Sequence, residues 1–201
     1  MKKYELTAEF IEKWGKKLFR IKALIGFGSV EAGELGGYVE KEDNLAQNGN
    51  AWVYDDAEVY GNAWVCGNAE VYGNAWVYDN ARVYGDARVY DNARVCGDAR
   101  VCGDAWVCGD AWVCGDADYL LIGRIGSRFG FTTFFKNKEK GITVSCGCFL
   151  GTIAEFRAKV TDTHGDNKHA KMYNMAADMA ELQILGEEHF DKLNTNKSEP
   201  F

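Results

Sequence analysis

Proline is almost missing from this chain, with one residue in 201, at Pro200. Twenty-three glycines without proline exclude a proline-rich or disordered linker and suit many tight turns between short strands. An excess of positive charge is missing too. The 23 Lys and Arg against 30 Asp and Glu leave a net charge of -7, so no nucleic-acid partner is expected. No run approaches the ~20 apolar residues of a membrane span, so no membrane partner is expected either. Met1 to Arg20 is interleaved with Lys and Glu and lacks the apolar centre of a secretory signal. These absences lead to a cytoplasmic expectation, in which seven cysteines are reduced thiols. An odd number also fits poorly with a closed set of disulfides. Histidine is scarce, and His164, His169 and His189 all lie late in the chain. At 201 residues there is room for one large or two small domains.

What is present is a repeat. From Gly49 the chain reads GNAWVY, DDAEVY, GNAWVC, GNAEVY, GNAWVY, DNARVY, GDARVY, DNARVC, GDARVC, GDAWVC, GDAWVC, GDADYL, twelve six-residue units without interruption to Leu120. Two degenerate units, GYVEKE (37–42) and DNLAQN (43–48), precede them. In each unit four residues such as Ala51-Trp52-Val53-Tyr54 alternate as a short strand, with Ala and Val inward and Trp and Tyr outward. A pair drawn from Gly, Asp and Asn then turns the chain, because these residues tolerate positive φ. Three units close a triangular coil of eighteen residues. The expected fold is mainly β: a left-handed parallel β-helix of four to five coils with an N-terminal cap and a small C-terminal α+β domain. The expected boundaries are 1–36 for the cap, 37–120 for the helix, 121–186 for the α+β domain and 187–201 for a flexible tail.

Eighteen-residue stacking predicts the outer columns. They are Trp52-Glu70-Arg88-Trp106, Glu58-Trp76-Arg94-Trp112 and Trp64-Arg82-Arg100-Asp118. Each Arg gains an aromatic or acidic neighbour, worth ~0.5–1 kcal/mol at an exposed cation–π contact. On one reading these ladders only stabilise the stack. On the other, contiguous exposed aromatics face a partner, another copy of the chain included. The second outward position gives Tyr54-Tyr72-Tyr90-Cys108, Tyr60-Tyr78-Cys96-Cys114 and Cys66-Tyr84-Cys102-Leu120. Its thiols read as small fillers, with Cys96 and Cys114 near enough to oxidise in vitro. A flat ladder offers no tetrahedral metal set. The corner pairs Asp86–Asp104 and Asp98–Asp116 leave Ca²⁺ or a basic partner as a weak alternative to solvated turns.

The flanks carry fewer signals. Glu9 to Lys17 reads as a short helix and Leu18 to Phe27 as a strand. Beyond the repeat, Ile142 to Leu150 reads as one strand, which places Cys146 and Cys148 on one side of it. Thr152 with Glu155 is a capping box for a helix that Gly165 stops. A second helix runs from about Asn167 to Leu185, with Met172, Met175, Met179 and Leu182 as its core stripe. Cys146 with His164 is a weak nucleophile–base alternative.

Val53 to Ala57 and Val59 to Ala63 follow the aliphatic-then-small spacing of hexapeptide-repeat proteins. Tyr or Cys stands where that family has a small or acidic residue. The block LGGYVEKEDNLAQNGNAWVYDDAEVYGNAWV, with its lead-in from about residue 19, resembles hexapeptide-repeat proteins of bacteriophages and prophages and their acetyltransferase-like bacterial relatives. The resemblance covers about residues 19–120. It implies a phage gene expressed in a bacterial cell, with homotrimers frequent in the family. It also implies acetyl-CoA as the cofactor if this chain is an acyltransferase, whose base near the coils would then be His164.

Two functions follow as expectations. The first is a non-enzymatic scaffold, host-interacting or counter-defence, that binds a protein partner such as a bacterial host protein through the helix surface or C-terminal domain. Its surface residues are Trp52, Trp64, Trp76, Trp106, Trp112, Arg82, Arg88, Arg94, Arg100, Tyr54, Tyr72 and Tyr90, with no cofactor. The second is acyl transfer, which lacks a histidine in the repeat and a loop to shape the acceptor site. Ice binding is dropped because the repeat contains no threonine.

Overall fold

Valine at every sixth position, with alanine two residues before it, leaves room for only a narrow apolar interior. Val53, Val59 and each following repeat valine through Val113 are fully buried, as are the alanines beside them. The computed structural model describes residues 2–188, and the chain divides into two compact units, residues 1–116 and 117–201. The expected tail of residues 187–201 lies outside the described residues except at 187 and 188.

The first unit is a β-solenoid of about four turns. Its strands are β1 (Tyr4–Lys13), β2 (Lys16–Ala23) and β3 (Leu35–Val39), followed by eleven two-residue strands. These are β4 (Trp52–Val53), β5 (Glu58–Val59), β6 (Trp64–Val65), β7 (Glu70–Val71), β8 (Trp76–Val77), β9 (Arg82–Val83), β10 (Arg88–Val89), β11 (Arg94–Val95), β12 (Arg100–Val101), β13 (Trp106–Val107) and β14 (Trp112–Val113). They form three sheets, ordered β1-β2-β3-β5-β8-β11-β14, β13-β10-β7-β4 and β12-β9-β6. Within the repeat every pairing is parallel and joins residues eighteen apart, as in Trp52 to Glu70 and Arg94 to Trp112.

The turns explain why the unit begins with Gly or Asp. That position takes positive φ in Gly61 (71°) and in Asp55 (53°). Asp accepts the strain because its carboxylate receives a backbone N–H from the next coil. Asp55 Oδ2 accepts from Gly73 at 3.1 Å and Asp91 Oδ2 from Gly109 at 3.2 Å. The second turn position forms amide ladders. Asn50 donates to Asn68, which donates to Asp86, and Asn62 donates to Asn80, which donates to Asp98.

The structure corrects the reading of the lead-in. Glu9 to Lys17 is not a helix. Residues 4–13 and 16–23 form an antiparallel hairpin through Trp14 and Gly15, both at positive φ (51° and 73°). A two-residue turn with both φ values positive matches the twist of the flanking strands. The strand expected over Leu18 to Phe27 lies over Lys16–Ala23 instead. The degenerate units are also out of step, because Val39 pairs with Val59 and Leu45 bridges to Val65. The first coil is therefore longer than its successors by two residues, added between Leu45 and Val53.

That lead-in covers Trp52. Expected on the outer surface, Trp52 is 0% exposed. Tyr4 meets it edge-on at 6.0 Å and Phe27 at 5.3 Å, while the Tyr4 hydroxyl donates to the carbonyls of Glu42 and Leu45. A first coil has no rung before it, and large apolar side chains from the hairpin and the following loop close it. Lys3 is buried beside it, with Nζ donating to the Ala51 carbonyl at 2.8 Å and lying 4.8 Å from the Phe27 ring centre.

The second unit is an antiparallel meander with two helices. β15 (Tyr119–Ile125), β16 (Gly130–Lys136), β17 (Ile142–Cys146) and β18 (Phe149–Thr152) pair in sequence order. α1 (Ile153–His164) and α2 (Lys168–Leu185) follow. The Thr152–Glu155 capping box is present, and Gly165 caps α1 with φ 54°. The segment Ile142 to Leu150 is two strands, because Gly147 turns the chain at φ 59°. Cys146 therefore ends a strand while Cys148 lies exposed in the turn.

The core of this unit is Phe134, Ile142, Val144, Phe156, Val160, Tyr173, Ala177 and Ile184 with their neighbours. The methionine stripe of α2 is not in it. The buried face carries Ala170, Tyr173, Ala176, Ala177, Ala180 and Ile184, and the stripe Met172, Met175, Met179 and Leu182 is exposed. Small residues let α2 approach the sheet, which a methionine face would hold away. Among the described residues no helix is long and apolar enough to cross a membrane.

Two measurements check this account. Replacing Trp52 with Ala should lower unfolding stability by about 3–5 kcal/mol, as for other fully buried large side chains. Trp52→Phe should cost far less, since the indole N–H has no acceptor among the described residues. Burial pushes the Lys3 ammonium down from its usual 10.5 to about 8. Between pH 8 and 10 the unfolded chain then keeps a proton that the native chain has lost, so stability rises with pH across that window. Denaturant titrations at pH 7 and 9.5 should show wild type gaining stability relative to Lys3→Met across the window, the raised thiol and phenols acting alike in both.

Candidate functional site

Parallel pairing at a fixed offset forces each outward side chain over its counterpart on the next coil. Two columns turn this into cation–aromatic ladders. On the first sheet, the Arg94 guanidinium carbon lies 4.5 Å from the Trp76 ring centre and 5.8 Å from that of Trp112. On the second, Arg88 lies 3.1 Å from the Glu70 carboxylate and 5.4 Å from the Trp106 ring centre. The third sheet stacks Trp64, Arg82 and Arg100. Here the expected fourth member differs, because Asp118 lies in the second unit and pairs with Lys136 at 2.9 Å.

The ladder on the first sheet is larger than its repeat residues. The hairpin tip places Trp14 edge-on to Trp76 at 5.1 Å and stacked on Tyr60 at 5.3 Å. Lys13 lies 5.5 Å from the Trp76 ring centre and ion-pairs with Glu58, which is buried beneath it. The result is a continuous strip running Trp14, Lys13, Trp76, Arg94, Trp112. Trp14 and Trp112 are exposed and Trp76 is half-buried. Neither Lys13 nor Trp14 was anticipated. The signal was the Trp-Gly pair between two alternating runs, a hairpin cue masked by charged residues that also suit a helix.

The second outward column contributes stacked phenols. Tyr72 and Tyr90 lie 4.8 Å apart with parallel rings, as do Tyr60 and Tyr78 at 5.2 Å. Tyr54 is half-buried, its hydroxyl 3.1 Å from that of Ser29. Burial raises the pKa of Tyr60 and Tyr90 above that of a free phenol, with Tyr78 and Glu58 adding to it at Tyr60 and Cys108 at Tyr90. Burial likewise pushes the Cys66 thiol up. These groups are neutral hydrogen-bonding surfaces at neutral pH, not bases or thiolate nucleophiles. Cys96 and Cys114, expected as reduced fillers, are joined as a disulfide across one rung.

The corner alternative for a metal finds no geometry. Asp86 and Asp98 each accept from the Asn of the preceding coil, and no three Asp, Glu, His or Cys groups converge among the described residues. Asp104 follows Asp86 by one coil, and Asp116 stands in a 3-10 turn over Asp116–Asp118 at the end of the repeat.

In the second unit, the His164 ring stacks on Tyr173 at 5.7 Å and lies 5.8 Å from His169. Cys146 Sγ accepts from the Thr132 hydroxyl at 3.2 Å. Clefts of about 480 and 550 Å³ flank α1, the first bordered by Phe149, Lys159 and Asp162, the second by Lys140, Arg157 and Glu181. Neither is lined by His164 or Cys146. His189 lies outside the described residues.

The fold and its outer ladders define a β-solenoid repeat protein. A family described as the YdcK beta solenoid repeat matches residues 75–91 and 93–109. The chain is also similar to a protein of Escherichia coli (strain K12) called "Uncharacterized acetyltransferase YdcK". The two are 41% identical over 63 residues, covering 27% of this chain and 19% of that protein. The similarity thus spans about a fifth of the relative's length.

Removing the cation from the ladder should expose its contribution. Arg94→Ala is expected to lower stability by about 1 kcal/mol through two cation–π contacts. A double-mutant cycle with Trp112→Ala should return a coupling of roughly 0.5–1 kcal/mol, read by denaturant unfolding. A coupling near zero would mean that the two side chains are neighbours without attraction.

Proposed function

We propose that this chain is a non-enzymatic interaction protein whose solenoid presents the Trp14–Lys13–Trp76–Arg94–Trp112 strip to a protein partner. The observation that carries the reading is Arg94 held between two tryptophans, one of them exposed, on an uninterrupted rigid surface. Trp and Arg are the side chains that most often anchor protein interfaces, because they bury large areas at small entropic cost. Trp64, Trp106, Arg82, Arg88 and Arg100, with the half-buried Tyr54, Tyr72 and Tyr90, extend the surface onto the other faces. The partner we favour is a bacterial protein, the Escherichia coli relative being the support for a bacterial setting. A phage or prophage origin with a host-directed or counter-defence role belongs to the same reading, as does a homotrimer packed through the aromatic faces. We take the winding as left-handed with an eighteen-residue coil; the repeat pairings support the coil length.

A second reading is favoured by the match to a protein named as an acetyltransferase. It requires acetyl-CoA as co-substrate and a base, for which His164 is the candidate. Against it stand an unbroken repeat and a histidine stacked on Tyr173.

The experiment compares wild-type protein with Arg94→Ala/Trp112→Ala. Affinity capture from a bacterial lysate and native mass measurement should give a stoichiometric protein complex that the double variant loses without a matching loss of fold by circular dichroism. Acetyl-CoA turnover by the purified chain, abolished by His164→Ala and intact in the ladder variant, would overturn the proposal in favour of acyl transfer.

A further inference from the structure

Of the columns that hold arginine, only one stacks like charge on itself. Arg88 has the Glu70 carboxylate and the Trp106 ring, and Arg94 stands between Trp76 and Trp112. On the third sheet Arg82 pairs directly with Arg100, one rung or about 4.8 Å on. Like charges placed opposite each other across a strand pair destabilise it. Both side chains are exposed. Among the described residues neither guanidinium forms an ion pair, donates a hydrogen bond or lies over a ring.

The carboxylates closest along the chain are engaged elsewhere. Asp79 accepts from the Gly97 N–H, Asp86 from Asn68 and Asp98 from Asn80. These bonds hold them in the turns that border the sheet, with Asp104 one coil beyond Asp86. The face is therefore a pair of cations within an acidic border. Such a border repels a nucleic-acid backbone or any other extended polyanion. It admits a short acidic segment whose carboxylates reach the two arginines alone. Arginine suits that role, because its planar fork grips a carboxylate through two parallel N–H bonds. Trp64, one rung before Arg82 and 42% exposed, has no cation or ring over it among the described residues and adds an apolar contact beside the pair.

We propose that Arg82 and Arg100 form the docking pair for an acidic segment of a protein partner, one carboxylate to each guanidinium. The inference rests on the reading of this chain as an interaction protein and adds the chemistry that its third face takes. Binding removes the repulsion between the two stacked guanidiniums, which nothing within the first unit offsets by direct pairing. Arg88 and Arg94, already partnered, have no such gain to make.

NMR of the arginine Nε–H groups in the full chain reads each arginine separately and tests the proposal. Acetylated, amidated tetraglutamate should shift the Arg82 and Arg100 signals to saturation and leave those of Arg88 and Arg94 in place. Tetraglutamine should shift none of them. Arg82→Ala/Arg100→Ala should raise the dissociation constant for tetraglutamate roughly tenfold. Arg82→Lys/Arg100→Lys should also weaken binding, since an ammonium cannot make the two parallel bonds. Both positions face solvent, so these variants should keep the circular dichroism of the wild type. Equal shifts at all four arginines, or no saturation, overturn the proposal. Tighter saturation of the same two signals by inorganic phosphate overturns the assignment to carboxylates. The titration uses the purified chain alone, so its failure is distinct from failure of the interaction reading, which is judged by the captured complex and by acetyl-CoA turnover.

Discussion

The register of the parallel pairing is the constraint on which the first unit depends. A backbone that pairs with itself eighteen residues on must place like positions over like positions on every coil. Valine on valine and alanine on alanine fill the interior without variation, as close packing demands. The same rule makes the exterior hazardous, because a repeated charge would stack on itself. Along each outer column the chain therefore varies the outward residue while holding the inward ones constant. Glu58, Trp76, Arg94 and Trp112 follow one another, and Arg94 meets two rings in place of another guanidinium. The column that does stack two arginines, Arg82 on Arg100, begins with Trp64.

Most of this was legible because repetition multiplies a weak signal. One AWVY unit says little, whereas twelve in step fix which residues face inward and which lie above one another. The ladder partners of Arg88 and Arg94 followed from counting alone. Trp52 did not, because counting places residues within the stack and says nothing about what covers an open end. The first coil lacks a preceding rung, so its exposed edge and ring faces are closed by Tyr4, Phe27 and the hairpin. Those contacts are specific to the lead-in and occur once, which leaves no period to detect. The shift of two residues between Leu45 and Val53 leaves no periodic signal for the same reason.

The second unit shows a different limit. Hydrophobic periodicity identified α2 and its stop at Gly186 correctly but chose the wrong face. Met172, Met175, Met179 and Leu182 are the bulkier apolar set, so weighting by hydrophobicity favours them. The sheet beneath selects instead for side chains that allow close approach, hence Ala170, Ala176, Ala177 and Ala180. Both stripes carry the same spacing, and sequence pattern alone cannot rank them. Likewise Ile142 to Leu150 alternates as one strand, and only the backbone at Gly147 divides it, separating Cys146 from Cys148.

These features bear on function through what a ladder can and cannot do. Acyl transfer needs a base within hydrogen-bond reach of an acceptor and a pocket that excludes water around it. The solenoid exterior presents carboxylates, among them Glu70 held by Arg88 and Asp55 and Asp91 held by turn N–H groups, beside neutral phenols, a raised thiol and guanidiniums that accept no proton at neutral pH. What it offers well is rigidity, since each outward side chain is held between two others by the backbone register. A surface that is already ordered loses little entropy on contact, and the association energy of its aromatic anchors is then retained. Trp14 and Lys13 extend that logic beyond the repeat. The hairpin that supplies Tyr4 to close the first coil also adds an exposed ring and a cation to the strip, so one hairpin serves both the cap and the surface proposed for binding.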